Sequence, residues 1–307
     1  MKKTILMAVC IIMMSMTASG ITINKAMLVH NGEVTLFDGD KIQDAINAAS
    51  DGDAIYLTLG TFKSFNVTKK ITIRGTGETS VIDGDVNISI PGSPKLTSPV
   101  MEALAVSGIV NVGAQVDDMI LRKCKMAGFT IGAQVDGAVI DRCYITNTLT
   151  LSSYIKGMTV VNTKLNFVKA NSGATQNTTF VNCNIYQVYP VNFSGTVINS
   201  IIYYNNQFYS TVFLNTLLWV SSQIGSSSVA QGCYYNESWN MNNCECTYST
   251  SQLQSKGYLG TDGTVVGIYG GETPYTLEPS VPKVTSSDLQ LDNENKQLNV
   301  TLTVSPQ

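Results

Sequence analysis

Four residues spaced 19, 20 and 20 positions apart, Lys125, Tyr144, Lys164 and Asn184, place an aromatic ring between two cations and an amide beside them. That set suits a sugar. The ring offers an amphipathic face for a pyranose, and the ammonium groups can pair with acidic groups along a glycan chain. Arg122 lies close enough in the chain to add charge. Exposed pairs of this kind predict binding that weakens with salt. They do not predict cleavage, because no base stands beside a group able to neutralise the developing charge, and Asp117, Asp136 and Asp141 are poor substitutes for one.

Other chemistry is sparse. His30 is the only histidine, so a Ser-His-Asp or Cys-His mechanism would have to pass through it, and it reads instead as a half-buried strand residue. Asp117 and Asp136 share one column, but Lys156 and Gln176 follow, which leaves two carboxylates where calcium takes six to eight oxygens. No cofactor is expected, and calcium is the single ion the aspartates would admit.

The spacing of the stripe comes from a repeat. "GAQVDDMILRKC" at 113–124 returns as "GAQVDGAVIDRC" at 132–143. With the cysteines as a reference column, later lines place Thr163, Cys183, Ser200 and Thr216 there, at spacings of 19, 20, 20, 17 and 16 residues. Two positions later the chain is always apolar (Met126, Ile145, Leu165, Ile185, Ile202, Leu218), and three positions earlier it is apolar again (Leu121, Ile140, Val160, Phe180, Val197, Phe213). Period two excludes a helical solenoid. Between the two apolar positions sits a polar residue, Lys123 and Arg142, then Asn162, Asn182, Asn199 and Asn215. Asparagine tolerates the left-handed backbone of a tight bend and can bond its copy on the next turn, as an asparagine ladder. Each line is therefore strand, bend, strand, and stacking the lines in parallel at roughly 4.8 Å gives an all-β fold, a single-stranded right-handed parallel β-helix. The stripe lies between two inward positions and so faces outward.

The reference column holds Cys124, Cys143 and Cys183. Cys143 and Cys183 would sit two coils apart, roughly 9.6 Å, too far to bridge, so stacked core thiols are expected. Cys124 with Cys143 is the less favoured alternative. Cys233 with Cys244 or Cys246 is the pairing better suited to a disulfide.

At the N-terminus, Lys2 and Lys3 precede an apolar run from Ile5 to Met16 and small residues at Ala18 and Gly20, which reads as a signal peptide over 1–20. Without it, 17 basic residues stand against 22 acidic ones, a charge that makes nucleic acid a poor partner. No later apolar run approaches the roughly 20 residues that cross a bilayer. In "DKIQDAINAASDGD", Asp40 is expected to cap a short helix with Ile42, Ala45, Ile46 and Ala49 on one face, closing the end of the solenoid. After Trp219 the period is lost. The expected layout is a β-helix with its N-terminal cap over 21–225, and an irregular cover with a C-terminal β-hairpin over 226–307, the hairpin turning at "DNENK".

"IQDAINAASDGDAIYLTLGTF", "ITIRGTGETSVIDGD" and the coils after them resemble the secreted pectin-lyase-like β-helix proteins, of the kind exported by bacteria, from about Asp38 to about Leu218. "DGTVVGIYGGETPYTLEPSVPKV" is similar to the ending of exported bacterial β-helix proteins. The resemblance implies the fold and a location outside the cytoplasm: secreted, periplasmic or at the cell surface. It spans polysaccharide lyases, glycoside hydrolases, pectin esterases and proteins without known catalysis, so it assigns no activity. "VIDRCYIT" at 139–146 is similar to a coil phrase in pectate lyases, but the carboxylate cluster those lyases use is missing, as are the paired aspartates and Gly-His-Gly of the related hydrolases. The reading is therefore a monomeric carbohydrate-binding protein, not an enzyme, whose partner is a polysaccharide or cell-surface glycan. The alternatives are a polysaccharide lyase acting on a uronic-acid polymer and a purely structural surface module.

Overall fold

The computed structural model describes residues 24–305 apart from 152–154, 171–174, 189–192, 206–209, 222–223, 226, 243, 280–282 and 293–296. The leader over 1–20 lies outside these residues, as does most of the turn at 292–296.

The chain is a parallel β-solenoid. Two sheets of twelve and ten strands enclose one core, and each turn gives a short strand to the larger sheet, bends, and gives a second strand to the smaller. Both apolar columns stand in register. Leu121, Ile140, Val160, Phe180, Val197 and Phe213 pair in sequence on one sheet. Met126, Ile145, Leu165, Ile185, Ile202 and Leu218 do so on the other. None of the twelve is more than 2% exposed.

The bend is left-handed, as its residue types require: φ is 53° at Lys123 and Arg142, and 44–51° at Asn162, Asn182, Asn199 and Asn215. An L-residue other than asparagine or aspartate costs about 1–2 kcal/mol there. The reference column explains itself chemically. Thr163 Oγ1, Ser200 Oγ and Thr216 Oγ1 each donate to the carbonyl two residues back, at 2.8, 2.8 and 3.1 Å. Thr163 and Ser200 also accept the N–H of Cys143 and Cys183 from the preceding turn, at 3.1 and 3.0 Å. A small hydroxyl or thiol is what a buried corner needs to satisfy backbone groups that the ladder misses.

All six described cysteines are free. The pairing of Cys233 with Cys244 or Cys246 does not form, because Cys233 continues the reference column. Val229–Gln231 and Tyr234–Tyr235 stack on Val212–Leu214 and Leu217–Leu218, so the solenoid runs one turn past Trp219. Cys244 is instead buried outside the solenoid, 3.6 Å from Asn166 Oδ1. Burial holds the Cys183 and Cys244 thiols up at about 12. Mass spectrometry without reductant should therefore find all six of these thiols labelled after denaturation, and native protein should leave Cys143 and Cys183 unlabelled. A disulfide-linked peptide would contradict this register.

The N-terminal end is closed twice. Lys25–His30 and Glu33–Asp38 form a hairpin on the larger sheet, turning through Asn31 (φ 49°) and Gly32 (φ 89°), where both central residues need positive φ. The helix Ile42–Ala48 covers the last strand of the smaller sheet, Gly60–Val67: Gln43 accepts from Asn66 N–H at 2.8 Å and donates to its carbonyl at 3.3 Å. Ile42, Ala45, Ile46 and Ala49 are buried as expected. Asp40 does not cap the helix. A 3-10 turn over Gly39–Lys41 leads into it, which makes Lys41 the N-cap, with no side-chain cap bond.

Beyond the solenoid, Met241–Asn242 pairs antiparallel with Glu245–Cys246, Thr250–Ser255 is a helix with a Ser249/Gln252 capping box, and Lys283–Asp292 with Gln297–Ser305 forms the expected β-hairpin. Among the described residues no helix is long and apolar enough to cross a membrane.

Candidate functional site

The stripe exists in register: Lys125 pairs with Tyr144, Tyr144 with Lys164, and Lys164 with Asn184. Continued by pairing, the same outward column reads Ile201, Leu217 and Tyr234. Ile201 and Leu217 are outward yet buried, because Trp239, Met241, Leu253, Val265 and Val266 pack over them as a second apolar cluster. The C-terminal cover thus occupies the later half of the column.

From there the chain returns along the bends as a strap. Asn215 donates to Leu259 O at 3.4 Å, Thr261 N–H donates to Asn199 Oδ1 at 2.9 Å, and Asn162 donates to Ile268 O at 3.1 Å and Gly270 O at 2.8 Å. Gly260 runs so close that a Cβ there would sit 2.6 Å from the Asn199 amide carbon. Asn162, Asn199 and Asn215 therefore hold the strap in place of bonding to each other, while Asn182 Oδ1 is buried without a hydrogen-bond partner. A ladder does occur elsewhere on the surface, where Asn111 donates to Asn87 at 3.3 Å and Asn87 to Asn66 at 2.9 Å.

Where the strap reaches the earlier turns, a cleft of ≈ 580 Å³ opens between it and the stripe. Lys125, Tyr144 and Lys164 form its floor, with Tyr269, Tyr275 to Pro279 and Thr76 to Glu78 as walls. The lysines are not the free cations expected. Lys125 Nζ lies 2.6 Å from Glu78 Oε1, and Lys164 is paired with Glu245. The Lys164 ammonium also stands between two rings, 4.4 Å from the centroid of Tyr275 and 5.6 Å from that of Tyr144, and the residue is only 8% exposed. Burial raises the Tyr275 and Tyr144 phenols, so both stay protonated at neutral pH and able to donate.

Asn184 is drawn away from the surface. At 2% exposure, its amide donates to Cys244 O at 2.9 Å and accepts from Ile268 N at 3.3 Å, fixing the cover. Arg122 is on the other sheet, bonded to Asp141 at 3.0 Å, and does not line the cleft. It belongs to a ladder of alternating charge in register, Arg74, Glu102, Arg122 and Asp141, with Arg142 closing on Asp141 at 2.7 Å. Asp141 is thereby a structural counter-ion.

The remaining candidates stay apart. His30 is exposed, not half-buried; its Nδ1 lies 2.9 Å from Asp53 and its Nε2 3.0 Å from the Asn31 amide. Lys95 bridges to Asp117 in the ladder and pairs with Asp118 at 2.9 Å, and Lys156 pairs in register with Asp136, so the two stacked aspartates are flanked by lysines. Among the described residues no three His, Cys, Asp or Glu side chains converge on a metal position. The residues that sequence reasoning missed are Tyr269, Tyr275, Glu78 and Glu245. Their one signal was the tyrosine pair in "GIYGGETPY" of the ending.

No family model matches the chain, and neither the curated proteins nor the solved structures compared with it give a match.

Proposed function

We propose that this is an exported, pectin-lyase-like β-solenoid that binds a polysaccharide or cell-surface glycan in the cleft above Tyr144, without cleaving it. One observation carries the reading: three tyrosines, Tyr144, Tyr269 and Tyr275, converge on a cleft whose two lysines are already paired. Aromatic faces with polar edges and fixed hydrogen-bonding groups suit a polyol. The pairing shifts the expected ligand away from acidic chains. Lys125 and Lys164 are balanced by Glu78 and Glu245, and Glu278 stands at the rim, so an anionic uronate meets no surplus positive charge. An uncharged glycan fits better. Elimination at a uronate is disfavoured for the same reason, because Lys164, the buried amine, is engaged by a carboxylate.

The test is a binding screen against neutral and acidic polysaccharides, with product analysis for unsaturated ends. Tyr144→Ala and Tyr269→Ala should each weaken binding to the neutral glycan about tenfold or more, with little change in melting for the exposed Tyr269. Equal binding by both variants would remove the cleft from the function, and product release would make the protein a lyase.

A further inference from the structure

The cleft is closed on two sides by the chain's own C-terminal residues, and this bears on which part of a glycan can enter. Toward later turns, the stripe ends against the cover. Lys164 is held by Glu245, and Asn184 is buried between Cys244 and Ile268, so the column that would continue a groove along the solenoid is filled. On the bend side, Tyr269 and residues 275–279 of the strap stand as a wall, meeting the turn at Gly77, whose ideal Cβ would lie 3.5 Å from Leu277 O and Pro279 Cδ. The other two directions are open. A second depression of ≈ 270 Å³ shares Glu78 and Lys125 with the cleft and extends over Val81, Ala105, Ser107, Ala127 and Thr146. The Glu78–Lys125 pair is thus the sill between a cleft walled on two sides and an open, shallow continuation.

Resting on the carbohydrate reading above, we infer that the site recognises a chain end. The terminal sugar sits in the cleft against Tyr144 and Tyr275, the following units cross the Glu78–Lys125 sill, and the chain leaves over Ala105, Ser107 and Thr146. An internal segment running straight through would have to leave through the Lys164–Glu245 contact or through the strap, each of which stands opposite an open side. The open depression is lined by aliphatic side chains with Ser107 and Thr146 beside the Glu78–Lys125 pair, and with no aromatic among them, so it adds little stacking surface. The terminal unit therefore carries most of the affinity, and lengthening the chain past three or four units adds little.

The probe is a neutral β-glucan and a neutral mannan, each used intact and after random partial scission, with matching oligosaccharides of two to eight units. Expected is a protein-binding capacity per gram of polymer that rises in proportion to the number of ends created, and oligosaccharide affinity that levels off by about four units. Ala127→Trp, which breaks no hydrogen bond, should lower the affinity of oligosaccharides longer than two units more than that of the disaccharide. Capacity independent of scission, with affinity still rising at eight units, would overturn end recognition while leaving the carbohydrate reading intact. Failure of every neutral and acidic glycan to bind would overturn the carbohydrate reading itself, and end recognition with it.

Discussion

Phe180→Asp should yield no folded protein, being recovered only in the insoluble fraction or as a chain without cooperative melting. Phe180 is 2% exposed, pairs with Val160 on one side and Val197 on the other, and sits mid-way along the stack. Removing the ring alone costs about 3–5 kcal/mol. Placing a carboxylate with no partner between two apolar neighbours costs several kcal/mol more. Together these reach the whole stability of an ordinary domain, about 5–15 kcal/mol. The position multiplies the damage, because each turn of a solenoid is stabilised only by its neighbours, so a turn lost in the middle separates two stacks, each with a new open end. Leu165→Asp, in the facing column, should behave alike. Phe180→Leu is the control and should fold with a modest loss. Soluble Phe180→Asp protein with wild-type melting would show that the column does not face the core.

The columns could be read because a solenoid writes its core as a local repeat: Leu121, Ile140 and Val160 fall at the same place in successive lines, and stacking converts that into contact without any long-range guess. The bend asparagines were legible for the same reason, since left-handed backbone selects few residue types. Their partners were not. Asn162 and Ile268 are 106 residues apart, and nothing periodic links them. The same gap separates the stripe from its surroundings. Lys125, Tyr144 and Lys164 could be aligned by counting, but Glu245 and Tyr275 arrive from a segment without period, and they decide that the lysines are paired and enclosed. Arg122 failed for a different reason. It precedes the bend at Lys123 whereas Lys125 follows it, so the strand–bend–strand line already separates the two and closeness in the chain misleads, and its carboxylate partner comes from the next turn, at Asp141. The loss of period after Trp219 is only partial, because the next turn keeps the Cys233 corner but has Gly232 where the bend asparagine stood and Ala230 and Tyr235 in the two apolar columns.

The strap's attachment predicts the second large effect, and the choice of substitution separates its two causes. Asn162 is 1% exposed, has φ of 44°, and gives both amide hydrogens to strap carbonyls, at 3.1 Å to Ile268 and 2.8 Å to Gly270. Asn162→Ala imposes a left-handed conformation that costs alanine about 1–2 kcal/mol. It also leaves two carbonyls without their donor, at about 1 kcal/mol or more each. The expected loss is about 3–4 kcal/mol. Asn162→Gly removes the same donors but is at ease with positive φ, so it should lose only about 2 kcal/mol. The ranking in denaturant midpoint is therefore wild type, then Gly, then Ala. A glycine variant as stable as wild type would mean that the amide serves the bend alone and that the strap is held by other contacts. Hydrogen exchange gives the spatial answer: in the glycine variant, the N–H groups of Gly267 and Gly270, bonded to Asn199 O and Gly267 O, should lose protection before those of the core strands. Because Tyr269 and Tyr275 hang from this stretch of strap, neutral-glycan binding should weaken in the same variant, although Asn162 itself lies outside the cleft.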